Sequence, residues 1–256
     1  WYATPDGGIA ALIYSPSTVN TFVAEEAPVT IQEETNYPFG ESVKFTLQIG
    51  TRSKSASFPF HLRIPEWCTK GLIKVNGKTW QEPGGNQVIK VNRQWKSGDV
   101  VELVLPMRII KNTWHENSVS IERGPLVYAL TIGEEVKEVY NEKDPIAYGD
   151  HFVEVRPTTP WNYGLNDIAD DKLGEQYIFE KRGEVTAFPW NAENVPVLIK
   201  AKARRIPSWQ LYNEMAGPLP YSITYGLETG KEEDIILIPY GATRLRISQF
   251  PVIGRR

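Results

Sequence analysis

Cys68 is the only thiol in the sequence and the first residue that invites chemistry. A cysteine nucleophile acts as a thiolate, and it needs a base or a positive charge beside it. His61 precedes it on a strand-like stretch, but on the side away from the apolar residues. Cys68 follows Pro65 and Trp67 and reads as a small packed hydrophobe. The histidines, His61, His115 and His151, are isolated from one another. A metal centre needs several His, Cys, Asp or Glu ligands around one point. His151 and Glu154 would point to opposite faces of a strand. Asp167, Asp170, Asp171 and Glu175 form an acidic group whose spacing does not fit a calcium loop, so it reads as a solvated loop. No two carboxylates are singled out as a glycosidase pair. The reading assigns no catalytic residue and no metal ligand.

The eight tryptophans carry the remaining functional colour. Flat aromatic rings can serve as platforms for sugar faces. Trp80 beside the Asn76-Gly77 turn, and Trp161 and Tyr163 in a loop-like stretch, are the candidate carbohydrate-binding residues. Large aromatics are also the main packing residues of β-cores, and Trp67, Trp95 and Trp209 stand where core closure is expected.

The elements that must position these residues are strands. Residues 118–130 are the centre of the chain. Val119 and Ile121 alternate with Ser118, Ser120 and Glu122, as in a half-buried strand. Gly124-Pro125 then breaks the ladder. Leu126 to Leu130 is an apolar run suited to burial on both faces. Val43, Phe45, Leu47 and Ile49 alternate most cleanly, and Phe58, Phe60, Leu62 and Ile64 repeat the pattern. Pro59 inside that run predicts an edge or a bulge. Asn76-Gly77 predicts a hairpin. Strands are also expected at 88–91, 100–105, 152–155, 197–203, 234–238 and 245–247. Residues 157–174 read as a long surface loop, with a helical turn near 166–172. Arg63-Ile64-Pro65-Glu66-Trp67 is echoed by Arg205-Ile206-Pro207-Ser208-Trp209, each at the end of a strand.

With 256 residues, one large or two ordinary domains are expected. A net charge of −3 with scattered basic residues argues against a nucleic-acid surface. No apolar run approaches the ~20 residues of a membrane span. Trp1-Tyr2-Ala3-Thr4 opens without methionine or a signal peptide, which predicts a piece of something longer.

An ordered set of motifs adds a family. Leu12-Ile13-Tyr14-Ser15-Pro16-Ser17, Glu34-Thr35-Asn36-Tyr37-Pro38, Leu62-Arg63-Ile64-Pro65-Glu66-Trp67, Val75-Asn76-Gly77, Trp95-Lys96-Ser97-Gly98-Asp99, Glu122-Arg123-Gly124-Pro125-Leu126-Val127-Tyr128 and Leu237-Ile238-Pro239-Tyr240-Gly241 occur in this order. Together they resemble the C-terminal part of glycoside hydrolase family 127, the β-L-arabinofuranosidase-like family once catalogued as DUF1680. The resemblance implies an (α/α)6 barrel followed by two β-sandwiches. It places catalysis in the barrel, on a cysteine nucleophile held in a zinc–cysteine cluster with a glutamate. Cys68 does not match a position of that cluster, so no catalytic residue is carried over.

The expectation is therefore an all-β chain of two consecutive antiparallel β-sandwich domains, 1–113 and 114–256. It would be a non-catalytic module packing on a barrel of the same protein. No cofactor is expected in this part, and zinc is expected in the barrel. The alternative is a carbohydrate-binding module with an oligo- or polysaccharide partner. Neither nucleic acid nor membrane is expected as a partner. A periplasmic or secreted location follows only if the parent carries a signal peptide. Predicted core residues are Val43, Phe45, Leu47, Phe60, Leu62, Ile64, Val101, Leu103 and Leu105 in the first domain. In the second they are Leu126, Tyr128, Val197, Ile199, Ile236, Ile238, Leu245 and Ile247.

Overall fold

The computed structural model describes residues 1–24, 26–140, 142–143, 146, 149–222 and 228–254. It is all-β, with 51% strand and 6% helix. The chain divides into two units, Trp1–Arg108 and Ile109–Arg256.

Among the described residues the first unit holds ten strands: β1 (Tyr2–Ala3), β2 (Ile9–Ala11), β3 (Ser17–Val23), β4 (Ala27–Thr35), β5 (Ser42–Ile49), β6 (Ser55–Ile64), β7 (Leu72–Val75), β8 (Lys78–Gln81), β9 (Gln87–Lys96) and β10 (Val100–Val104). One sheet runs β1-β2-β6-β9 and the other β3-β4-β5-β10-β7-β8. Every adjacent pair is antiparallel except β2–β6, which is parallel. The inward residues of both sheets share one core, and all nine residues expected there are buried in it. Aromatic rings fill its centre. Phe45 and Phe60, one from each sheet, meet edge to face at 5.1 Å. Trp95 is fully buried and donates its indole N–H to the carbonyl of Phe58 at 2.9 Å.

Local chemistry sets the turns. Asn76 and Gly77 take φ of 51° and 76°, the left-handed pair that a two-residue hairpin requires. Pro59 lies within β6, where β9 pairs it on one side. On the other side β2 begins pairing only at Phe60, so the missing N–H costs no ladder bond there. A Cβ on Gly8 would lie 2.1 Å from the Pro59 carbonyl oxygen, and this close approach requires glycine.

The second unit begins with β11 (Ile109–Thr113), which pairs with β12 (Val119–Arg123). The sequence reading places the boundary after residue 113, whereas Ile109–Thr113 stands in the second unit's sheet. There follow β13 (Leu126–Leu130), β14 (Glu134–Tyr140), β15 (His151–Pro157), β16 (Tyr163–Asn166), β17 (Ile178–Lys181), β18 (Val197–Arg205), β19 (Leu211–Tyr212), β20 (Met215–Ala216), β21 (Glu232–Pro239) and β22 (Val252–Ile253). One large sheet runs β11-β12-β13-β21-β18-β16-β22, with β17 also on β18. Its β16–β22 pair is parallel. β14–β15 and β19–β20 are separate hairpins.

Three expectations are corrected here. The stretch 157–174 is not only loop: it contains β16, whose Tyr163, Gly164 and Leu165 are buried. Residues 243–249 form no strand, and Leu245 and Ile247 are half-buried. Ile236 is 42% exposed, because Ile235 and Leu237 face the core. The other second-core residues, Leu126, Tyr128, Val197, Ile199 and Ile238, are buried.

Candidate functional site

Cys68 is fully buried just past the end of β6, its backbone N–H donating to the Pro65 carbonyl. Burial pushes its thiol above the ordinary cysteine value, and the Glu41 carboxylate adds to the shift. A buried thiol of raised pKa is a poor nucleophile. His61 is engaged elsewhere. Its Nε2 lies 3.1 Å from the Asp6 carboxylate, which also takes Lys90 Nζ at 2.7 Å and the Thr4 hydroxyl. Those bonds, Lys90 first, hold the Asp6 carboxyl well below the usual carboxylate range.

His115 sits on Glu116 at 3.2 Å. His151 faces Glu138 at 3.8 Å across the β14–β15 hairpin, its ring against Tyr140. Glu154 pairs instead with Arg156. The acidic loop is partly neutralised by Lys111, whose ammonium lies 3.9 Å from Asp167 and 3.6 Å from Asp170. Among the described residues no group of three or more His, Cys, Asp or Glu could hold a metal ion.

The three candidate sugar platforms stand in different surroundings. Trp80 lies on β8, an edge strand exposed along its whole length, and is itself 43% exposed. Tyr163 is only 6% exposed, and its hydroxyl donates to Glu233 at 2.6 Å. Burial and that carboxylate raise its pKa, and the ring faces core rather than solvent. Trp161 is half-buried, packed edge to face on Trp209 at 5.1 Å. Asn162 fixes this stretch by donating to the carbonyls of Ile206 and Trp209. The Arg-Ile-Pro-Ser-Trp element thus anchors Trp161 from the end of β18.

Trp161 lines a cavity of about 660 Å³ in the second unit, with Ile132, Leu211, Met215, Leu245 and Ile247 as apolar lining. Arg156, Arg244 and Arg246 stand at the same cavity. Arg156 pairs with Glu154 and Glu214, and Arg244 with Glu134. Arg246 donates to the Thr243 carbonyl and lies over the Tyr240 ring. The place can hold an apolar or amphipathic group under a rim of paired ions. Sequence reading found Trp161 but missed the arginines, which arrive from distant parts of the chain. The signal available in the sequence is the Arg244-x-Arg246 spacing.

Residues 8–107 match the family model described as β-L-arabinofuranosidase, GH127 middle domain. A curated relative, the non-reducing end β-L-arabinofuranosidase of Bifidobacterium longum subsp. longum, is 28% identical over 142 residues, covering 50% of this chain and 20% of that protein. A solved structure described as a glycoside hydrolase aligns with a TM-score of 0.64 and 28% identity, over 97% of this chain and 36% of that one. A GH127 β-L-arabinofuranosidase from Geobacillus stearothermophilus T6 shares the fold, with a TM-score of 0.62 and 22% identity over 97% and 34% of the two chains. The chain therefore spans between 20% and 36% of the length of these relatives.

Proposed function

We infer that this chain, a GH127-like β-sandwich region of glycoside-hydrolase type, is the non-catalytic part of a larger β-L-arabinofuranosidase-like enzyme. Its role is to pack on and support a catalytic barrel of the same protein. The observation that carries this reading is coverage. Nearly all of this chain aligns with a glycoside hydrolase, yet it accounts for 36% of that structure. The matching family model is described as a middle domain, a part of a longer architecture.

The chemistry of the chain agrees. Glycoside hydrolysis needs an acid and a nucleophile or base held around one bond. Cys68 is sealed in a core with a raised pKa, and His61 is bound to Asp6. The reacting groups, and any zinc that holds them, then belong to the barrel. Support would act through stability and the shape of the barrel's pocket.

The test is an assay on aryl β-L-arabinofuranosides. The 256-residue chain is expected to give no turnover with or without added zinc. A protein extended N-terminally through the barrel is expected to be active. Turnover by the chain alone that vanishes in Cys68→Ser would overturn the reading and make Cys68 the nucleophile.

A further inference from the structure

Two of the sequence motifs have no role in that reading, and the fold brings them together. Glu122, Pro125, Leu126 and Val127 come from the first, and Tyr240 and Gly241 from the second. With Trp114, Ser120, Ser248 and Gln249 they line an open cleft of about 410 Å³ in the second unit. Its floor includes the paired residues Glu122 of β12 and Val127 of β13.

The cleft is built before any ligand arrives. Trp114 follows β11 and is presented by a tight turn in which Glu116 and Asn117 take φ of 56° and 52°. Its backbone N–H donates to the Ser118 carbonyl. The Trp114 indole N–H donates to the Ser120 hydroxyl at 2.8 Å, and that hydroxyl donates to Glu122 Oε1 at 2.7 Å. The indole is thus pinned while 54% of Trp114 stays exposed. Tyr240, 43% exposed, is held by the Arg246 guanidinium at 4.8 Å from its ring centre. A third aromatic, Trp190, backs the wall: a Cβ on Gly241 would lie 3.0 Å from its ring. Rings held in place cost little entropy when a ligand binds.

We propose that this cleft binds a neutral saccharide, with a sugar ring against Trp114 and its hydroxyls hydrogen-bonded to Glu122. A sugar has apolar C–H faces and a polar edge. The cleft offers exposed aromatic surface, a carboxylate and the side chains of Ser248 and Gln249 within one small volume. Ser120 engages Oε1 of Glu122, and a carboxylate has two oxygens with which to accept a sugar hydroxyl. Among the described residues no lysine or arginine lines the cleft, and the one carboxylate there disfavours phosphorylated or acidic ligands. A cationic ligand would meet Tyr240 with Arg246 already over its ring. The proposal concerns binding only and does not depend on the supporting role inferred above.

Isothermal titration of the 256-residue chain with arabino- and xylo-oligosaccharides, and with choline as a cationic control, tests it. At least one neutral oligosaccharide is expected to bind at millimolar concentration. Trp114→Ala should weaken it by about tenfold or more, and Tyr240→Ala and Glu122→Gln by about threefold. Tyr2→Ala, an exposed aromatic of the first unit, should leave it unchanged. Circular dichroism checks each fold. Should Trp114→Ala not fold, Trp114→Phe, which keeps a ring, is expected to bind better than Tyr240→Ala with Glu122→Gln combined. Absence of saccharide binding, preference for choline, or full affinity in both aromatic variants would overturn the proposal.

Discussion

The two units reach an all-β structure by different routes. The first closes two sheets on one aromatic core, and its strands β4, β5 and β10 have a dry side and a wetter one. β5 shows this plainly: Val43, Phe45, Leu47 and Ile49 are buried, and the residues between them are not. The second unit spreads one sheet and buries parts of both its faces. Tyr128, Ile199 and Leu237 are buried on one face. On the other, Ala129 and Ile238 pair directly and are buried too, as are Ser120 and Leu198. A two-sided sheet can carry a cleft on its second face, whereas a closed two-sheet core spends its apolar residues inward.

The sharpest way to break this comparison is to truncate one residue of each kind. Phe45→Ala should cost about 3–5 kcal/mol, since it empties the ring-filled centre of the first core. Ile236→Ala, on a half-exposed position, should cost under about 1 kcal/mol. Urea denaturation monitored by circular dichroism separates the two. Equal losses would show that the second face around Ile236 is as closed as the first core.

The same contrast explains what was legible in the sequence. Alternation reports which side of a strand is dry only when one side is wet. In the first unit that holds, and every predicted core residue lies inside. In the second unit β21 runs Ile235-Ile236-Leu237-Ile238, apolar at each position, and periodicity could not tell Ile236 from its neighbours. β16 was hidden because Gly164 and the prolines around it read as loop, although Leu165 pairs with both Ala203 and Val252. The Trp161 cavity was half-visible, through its aromatic residue. The Trp114 cleft was invisible, since its residues converge only when β12, β13 and residues 240–249 are in place.

A second measurement sharpens the comparison at a single atom. The Tyr128 hydroxyl is buried without a hydrogen-bond partner among the described residues. Burial holds its pKa far above the usual tyrosine value. An unsatisfied buried hydroxyl costs stability, so Tyr128→Phe should leave the second unit unchanged or raise its stability by about 1 kcal/mol. A clear loss would show that the hydroxyl is satisfied.

Glu33 offers the counterpart in the first unit. Its carboxylate accepts from the Ser15 N–H and the Ser17 hydroxyl, and the Trp1 indole donates to that same hydroxyl. Burial outweighs these bonds and raises its pKa. A raised carboxyl binds its proton more tightly in the folded chain. Its stabilising contribution is therefore full below the ordinary glutamate value and is lost as pH rises through the folded one. Glu33→Gln should gain thermal stability relative to wild type as pH rises above the ordinary glutamate value. A difference that stays flat across that range would show that Glu33 ionises as if it were exposed.

The smallest effect belongs to Asp6, and its sign is opposite. Asp6 lies in the turn between β1 and β2, where Thr4 and Gly8 close the backbone. Its carboxylate reaches Lys90 and His61, which face each other across β6 and β9. The cluster therefore ties the short N-terminal hairpin to the longest pair of strands in its sheet. The folded pKa is depressed, so its contribution is present above the ordinary aspartate value and is lost as pH falls through the folded one. Asp6→Asn should lower the melting temperature slightly at neutral pH, and the difference should vanish in strong acid. Because these charges sit in water, added salt should shrink the effect. Lys90→Met should reproduce more of the loss than His61→Ala, since the Lys90 hydrogen bond is the largest cause of the depression. A loss at neutral pH that survives high salt and strong acid would mean that the side chain's packing, not its charge, holds β1 in place.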